Sequence, residues 1–363
     1  MGGFFLLFLL FSHRCQVAIF AQWAQWLRED VLRGGDVVYI NLDETSVERL
    51  SPHRRGHVLS IPRAGASASL VHERISRAET HGHLTLVALI CSDPALQPAL
   101  PQIFLTKDAR LTVAERAAFR ALPAPLHWFR GTDGWVTAAN FPALLTFIRR
   151  QVLLARPACQ IVLLMDCASQ HMANNVLAHC RRLRLVIMLV PARLTWLLQP
   201  LDSHVFATFK RRLHALQLEA RAAHESGALQ PAEWVSLLGD AVYEVLVSRV
   251  WTQGFVANGV TGLPHAMRPR VLELLGSACH LPLRQPSADE LCELVGRNRP
   301  TLPVHLLFWP QALLRLGGLA VVPRAVPLPP PPLPPPAEPP PDEGGAPGAP
   351  ISARTRSRTR LVL

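Results

Sequence analysis

Asp43, Asp166 and Asp202 stand in surroundings that call for a counter-ion. Asp43 follows Val37-Val38-Tyr39-Ile40-Asn41-Leu42, Asp166 follows Ile161-Val162-Leu163-Leu164-Met165, and Asp202 opens a helical run after Leu198-Gln199-Pro200-Leu201. An ionised carboxylate leaving an apolar run is too costly to bury alone. Three such groups brought together repel one another unless a divalent cation neutralises them. This is the composition of a two-metal phosphoryl-transfer site, in which Mg²⁺ or Mn²⁺ ions roughly 3.5–4 Å apart activate the attacking oxygen and stabilise the leaving one. Each position also has a purely structural reading: Asp202 as a helix N-cap, Asp166 as the cap of the helix after its strand, Asp43 as a strand-to-loop turn.

The elements needed to position these groups can be read around them. Asp36–Leu42 and Leu84–Cys91 are short runs rich in apolar and β-branched residues. Ile161–Met165 and Leu185–Val190 are almost wholly apolar, as strands covered on both faces are. His57–Ile61 is a weaker strand candidate. Between the last two strong strands, Asn174–Leu183 has helical spacing and supplies the crossover that parallel pairing requires. After Asp202, Val205, Phe206, Phe209, Leu213, Leu216 and Leu218 recur at roughly helical intervals, with Lys210, Arg211 and Arg212 among them. The expected object is a mixed α/β sheet with flanking helices, in which ligands gather at the carboxyl ends of strands. Asp43 and Asp166 are predicted to sit at such ends.

At these residues the chain resembles the DDE superfamily of transposases and integrases, and within it the pogo and mariner-like endonuclease domains. Asn41-Leu42-Asp43-Glu44-Thr45 resembles the first aspartate motif, Asp166 with His171 the second, and Gln199-Pro200-Leu201-Asp202 the third. The last two aspartates lie 36 positions apart, close to the family's spacing. Thr132-Asp133-Gly134-Trp135-Val136-Thr137 resembles the segment ahead of the helix before the second motif, and Trp251 to Pro269 a more weakly matched tail. The resemblance implies a ribonuclease-H-like fold. It also implies catalytic and metal-holding roles for Asp43, Asp166 and Asp202, two Mg²⁺ or Mn²⁺ ions, and cleavage and strand transfer on DNA. His171 and Gln199 fall near the implied site; Glu44 is expected to face solvent rather than metal. Family members carry helix-turn-helix modules ahead of the catalytic domain. With about 40 residues before Asp43, the chain is expected to be a truncated copy, a domesticated derivative or an incomplete gene model.

The organisation expected along the chain is an apolar or helical segment at 1–34, a catalytic domain at 35–225, a helical extension at 226–322 and a disordered tail at 323–363. Thirty-seven basic residues against 26 acidic ones give a net charge of +11 and a pI near 10.3, which favours polyanionic partners. Nearly all of that charge is arginine, which a GC-rich genome also produces. The local clusters His53-Arg54-Arg55-Gly56-His57 and Lys210-Arg211-Arg212 are therefore the better candidates for phosphate contact, with a solvated loop and a solvated helix face as the plain alternatives.

Seven cysteines without C-x-x-C spacing argue for a reducing compartment, against a disulfide framework and against zinc. No nucleophile elbow, phosphate-binding glycine loop or dinucleotide fingerprint is present. Phe4–Phe11 is long enough for a signal-peptide core and too short for a membrane span, and lacks a preceding positive residue; secretion stands as the alternative to a nuclear location. Val326 to Pro341 is dominated by proline, and its PxxP steps suit an SH3- or WW-type partner or a plain spacer. Ser352–Arg360 alternates arginine with hydroxyl residues, a pattern that suits nucleic acid or a nuclear address.

Three functions remain open on the sequence. The leading one is a DDE-type DNA endonuclease, with DNA and a second copy of the chain as partners and no membrane. The second is a domesticated, catalytically silent DNA- or protein-binding module that keeps the fold. The third is a proline-rich adaptor whose folded part is a scaffold.

Overall fold

The computed structural model describes residues 2–48, 57–60, 71–74, 83–107, 111–131, 134–224, 229–276, 281–295 and 304–307. Arg54, Arg55, Thr132, Asp133, the proline-rich run and the arginine repeat lie outside them. All of the described residues fall within one compact unit, Met1–Gly318.

Its strands are β1 (Val37–Glu48), β2 (His57–Ser60), β3 (Val71–Arg74), β4 (His83–Cys91), β5 (Gln102–Lys107), β6 (Leu126–Gly131), β7 (Gln160–Asp166) and β8 (Val186–Val190). Its helices are α1 (Gly2–Trp26), α2 (Val113–Arg120), α3 (Phe141–Ala155), α4 (Asn174–Arg182), α5 (Thr195–Leu198), α6 (Phe206–Ala223), α7 (Pro231–Val242), α8 (Thr252–Ala257), α9 (Pro269–Leu275), α10 (Ala288–Val295) and α11 (Val304–Leu307). Six strands form one sheet in the order β6-β5-β4-β1-β7-β8, while β2 and β3 form a separate hairpin. β4 runs antiparallel to β1 and β5, whereas β5–β6, β1–β7 and β7–β8 are parallel. The carboxyl ends of β1, β5, β6, β7 and β8 therefore share one edge of the sheet. This is a mixed α/β sheet with flanking helices, as the sequence predicts.

The apolar runs behave as expected. Ile161–Met165 and all of β8 are buried, and α4 makes the crossover between them. β1 departs from expectation by continuing through Glu44-Thr45-Ser46-Val47-Glu48, so Asp43 lies inside a strand rather than at its end. The reason is the partner strand: β4 pairs with β1 as far as Glu48↔His83, which satisfies a polar stretch that would otherwise turn away.

α1 carries Phe4–Phe11 in the same helix as Val17, Phe20, Trp23 and Trp26, all buried in the core, and it packs against α9, α10 and β8. Gln16 and Gln22 donate to the Glu293 and Arg284 carbonyls. Among the described residues no helix is long and apolar enough to cross a membrane. On the far flank α2, α6 and α7 pack together, and Trp234 Nε1 donates to the buried Glu115 carboxylate at 2.7 Å.

Candidate active site

β1 and β7 pair in parallel as far as Asn41↔Leu164, so two residues further on Asp43 and Asp166 stand level with each other. The third aspartate comes from a different direction. A tight π-helical turn, Leu201–Val205, carries Asp202 just ahead of α6. Asn41 binds that turn to the sheet. Its side-chain Oδ1 accepts from the Leu201 N–H at 2.8 Å, and its Nδ2 donates to the Leu164 carbonyl at 3.1 Å. Residues two apart on a strand share a face, so the side that holds the Leu201 turn is also the side of Asp43. The three predicted carboxylates thus lie near enough for their charges to act on one another.

Their electrostatics carry the mark of that nearness. Burial pushes the Asp43 carboxyl well above the ordinary carboxylate range, and the charges of Glu44, Asp202 and Asp166 push it further, against one hydrogen bond from the Glu44 N–H. Asp202 reaches the surface, yet surrounding protein raises its carboxyl too, with Asp166 adding to the effect; the Thr195 hydroxyl and Lys210 oppose it. Asp166 takes hydrogen bonds on Oδ1 from the Ala168 N–H at 2.9 Å and from His171 Nδ1 at 2.6 Å.

His171 is fully buried and turns its other nitrogen, Nε2, to Glu44 Oε1 at 2.9 Å. Burial alone would push this imidazole down, but the two carboxylate hydrogen bonds outweigh it and raise the group to about 10. Both ring nitrogens therefore donate. Glu44, expected in solvent, is instead largely buried in this bridge and fixes Asp166 through His171. The signal for it in the sequence was its place beside Asp43; pairing with a histidine 127 positions away leaves no local trace.

The donor set suits a hard divalent cation, which takes carboxylate and amide oxygens. Gln199 adds to it: its side-chain Oε1 and Nε2 are buried without a hydrogen-bond partner among the described residues, three residues ahead of Asp202. Among the described residues, no three His, Cys, Asp or Glu side chains close around one point. The carboxylates form an open frame rather than a finished cage.

The basic residues after the third motif separate. Lys210 is exposed and close enough to act on Asp202. Arg211 is exposed, with its Nε donating to the Ala207 carbonyl at 3.3 Å. Arg212 instead turns to Glu244, its Nε donating to the carboxylate at 2.6 Å. Trp196, next to the residue that hydrogen-bonds Asp202, leaves half of its surface open.

Residues 84–252 match the family model described as DDE superfamily endonuclease, a span that takes in Asp166 and Asp202 and begins after Asp43. No curated protein matches the chain. Among solved structures it is similar to the Mos1 transposase paired-end complex with left transposon end, at 15% identity and a TM-score of 0.37, over 69% of this chain and 62% of that one. It is also similar to the Mos1 mariner paired end complex with Mn, at 16% identity and a TM-score of 0.36, again over 69% and 62%. The chain thus spans less than two thirds of the length of these proteins.

Proposed function

We propose, from the premise that this chain carries a DDE superfamily endonuclease domain, that it cleaves phosphodiester bonds in DNA and transfers strands, as pogo and mariner-like enzymes do. The single observation that carries this reading is the nearness of Asp43, Asp166 and Asp202: burial raises Asp43 and Asp202, the charges of Glu44, Asp202 and Asp166 raise Asp43 further, and that of Asp166 adds to Asp202. Such an arrangement costs stability unless a cation is its purpose.

Asp43, Asp166 and Asp202 are the residues that would hold Mg²⁺ or Mn²⁺. A bound pair of these ions supplies Lewis-acid activation of the attacking oxygen and charge stabilisation at the leaving one. The chain's own contribution is positional. β1 and β7 fix two carboxylates in one sheet, Asn41 fixes the turn that bears the third, and His171 keeps a proton on Nδ1 that holds one oxygen of Asp166 in place. Lys210 and Arg211 face solvent beyond Asp202, where the phosphates of a DNA strand would lie. Work on DNA implies a nuclear protein.

One observation favours a second reading, a catalytically silent DNA-binding module. The buried, doubly bonded His171 already supplies Asp166 and Glu44 with a positive partner, so part of the site's charge is neutralised from within.

The deciding experiment is nicking of supercoiled plasmid with Mn²⁺, Mg²⁺ or EDTA, beside Asp166→Asn. Nicking that needs the metal and falls ~10³-fold or more in the variant supports the endonuclease. Salt-sensitive DNA binding without nicking, in a folded protein, supports the silent module.

A further inference from the structure

We infer that Asn258, a residue outside the three aspartate motifs, is the positioning residue that sets Asp202 for its cation. The inference rests on the reading of Asp202 as a metal-holding carboxylate.

Asp202 is followed by Ser203 and His204, and both are held by one buried side chain. Asn258 Nδ2 donates to Ser203 Oγ at 2.8 Å, and Asn258 Oδ1 accepts from His204 Nε2 at 3.1 Å. The Ser203 hydroxyl passes its own hydrogen on to the Gln199 carbonyl at 2.8 Å. Directions are forced along this chain: an amide oxygen cannot donate, so His204 carries its proton on Nε2, and Ser203 accepts from the amide while donating to the carbonyl. Asn258 is fully buried, so neither of its bonds can be exchanged for water.

The segment around Asn258 is shaped to make this grip. Its own N–H donates to the Gly254 carbonyl at 3.1 Å. Gly254 lies so close that an added Cβ would stand 3.3 Å from the His204 ring and 3.8 Å from Pro200. Gly259, at φ +79°, lets the chain turn away immediately afterwards. Further along, Arg268 donates its backbone N–H to the Ala257 carbonyl at 2.9 Å and turns its guanidinium onto the carbonyls of Trp196 (3.0 Å) and Leu197. The stretch 254–268 therefore grips the third motif on both sides of Asp202, before it at 196–197 and after it at 203–204. A π-helical turn is a rare conformation that persists where surrounding contacts impose it, and Leu201–Val205 has Asn41 on one side and Asn258 on the other.

Groups behind a metal-holding residue typically change metal affinity by 10–100-fold when removed. The test is Mn²⁺ binding to the full chain, followed by electron paramagnetic resonance of free Mn²⁺, so that it does not depend on turnover. Asn258→Ala is expected to weaken Mn²⁺ binding by roughly 10-fold or more, in the direction of Asp202→Asn. Ser203→Ala, a smaller change that removes the acceptor for Nδ2 together with the donor to the Gln199 carbonyl, is expected to weaken it severalfold and guards against a fold lost in Asn258→Ala. Leu294→Ala, a core truncation in α10, serves as the stability control and is expected to leave Mn²⁺ affinity unchanged. Wild-type affinity in both Asn258→Ala and Ser203→Ala, or an equal loss in Leu294→Ala, overturns the proposal. A wild-type protein that binds no Mn²⁺ overturns the function on which it rests.

Discussion

The side-chain carbonyl of Asn41 accepts a hydrogen bond from the backbone N–H of Leu201 at 2.8 Å, across 160 residues of sequence. Two strand positions before Asp43 and one position before Asp202, this bond joins the first carboxylate's strand to the third carboxylate's turn. Asn41 is fully buried, so the N–H it satisfies has no water to turn to. Asn41→Ala is expected to destabilise the protein by ~1–3 kcal/mol, the cost of a buried group left without its partner. Urea unfolding of variant and wild type measures it, and an unchanged midpoint would contradict the assignment.

His171 makes stability depend on alkaline pH. Its folded-state value of about 10 lies above the ordinary 6.5. The imidazolium bridge therefore stabilises the fold fully below pH 6.5, and that contribution disappears as pH rises through about 10. In metal-free buffer, thermal melting is expected to fall across this window in wild type and to fall less in Glu44→Gln, which weakens the bridge. Parallel curves for the two proteins would remove His171 as the cause.

Lys210 and Arg212 should behave differently in DNA binding. Lys210→Ala is expected to lower affinity for duplex DNA of any sequence and to reduce the slope of log K against log salt by about 1. Arg212 is engaged with Glu244, so Arg212→Ala is expected to leave the slope nearly unchanged. Fluorescence anisotropy across a salt series separates them; equal slopes for both variants would refute the distinction.

The cysteines sort by burial. Burial pushes the thiols of Cys91 and Cys180 up to about 12 and that of Cys159 to about 11, which removes the reactive thiolate at neutral pH. Cys15 and Cys292 are exposed. Iodoacetamide at pH 7.5 is expected to label Cys15 and Cys292 in the native protein and the other three only after denaturation, as read by peptide mass spectrometry. Native labelling of Cys180 would count against this core.

What could be read from the sequence follows the range of the interactions. β7 and β8 announce themselves because a strand covered on both faces has little choice but to be apolar, and α4 between them leaves only a parallel pairing. The three aspartates stood out because Asp43 and Asp166 interrupt or end such runs and Asp202 opens a helical one. The extension of β1 past Asp43 was not, since Glu44-Thr45-Ser46 is polar and only β4 makes it a strand. The partners that hold the site were hidden for the same reason. Glu44 with His171, Asn41 with Leu201 and Asn258 with Ser203 are separated by 127, 160 and 55 positions, and single polar residues carry no periodicity.

The three carboxylates are not anchored alike. Asp43 sits within a twelve-residue strand and pairs there with Ala88 of β4, whereas Asp202 rides on a short turn kept in shape by a few side-chain hydrogen bonds. Local opening begins where few contacts must be broken. On warming, the site is therefore expected to come apart from the Asp202 side while the sheet is still intact, so cation affinity would be lost some degrees before the fold itself melts.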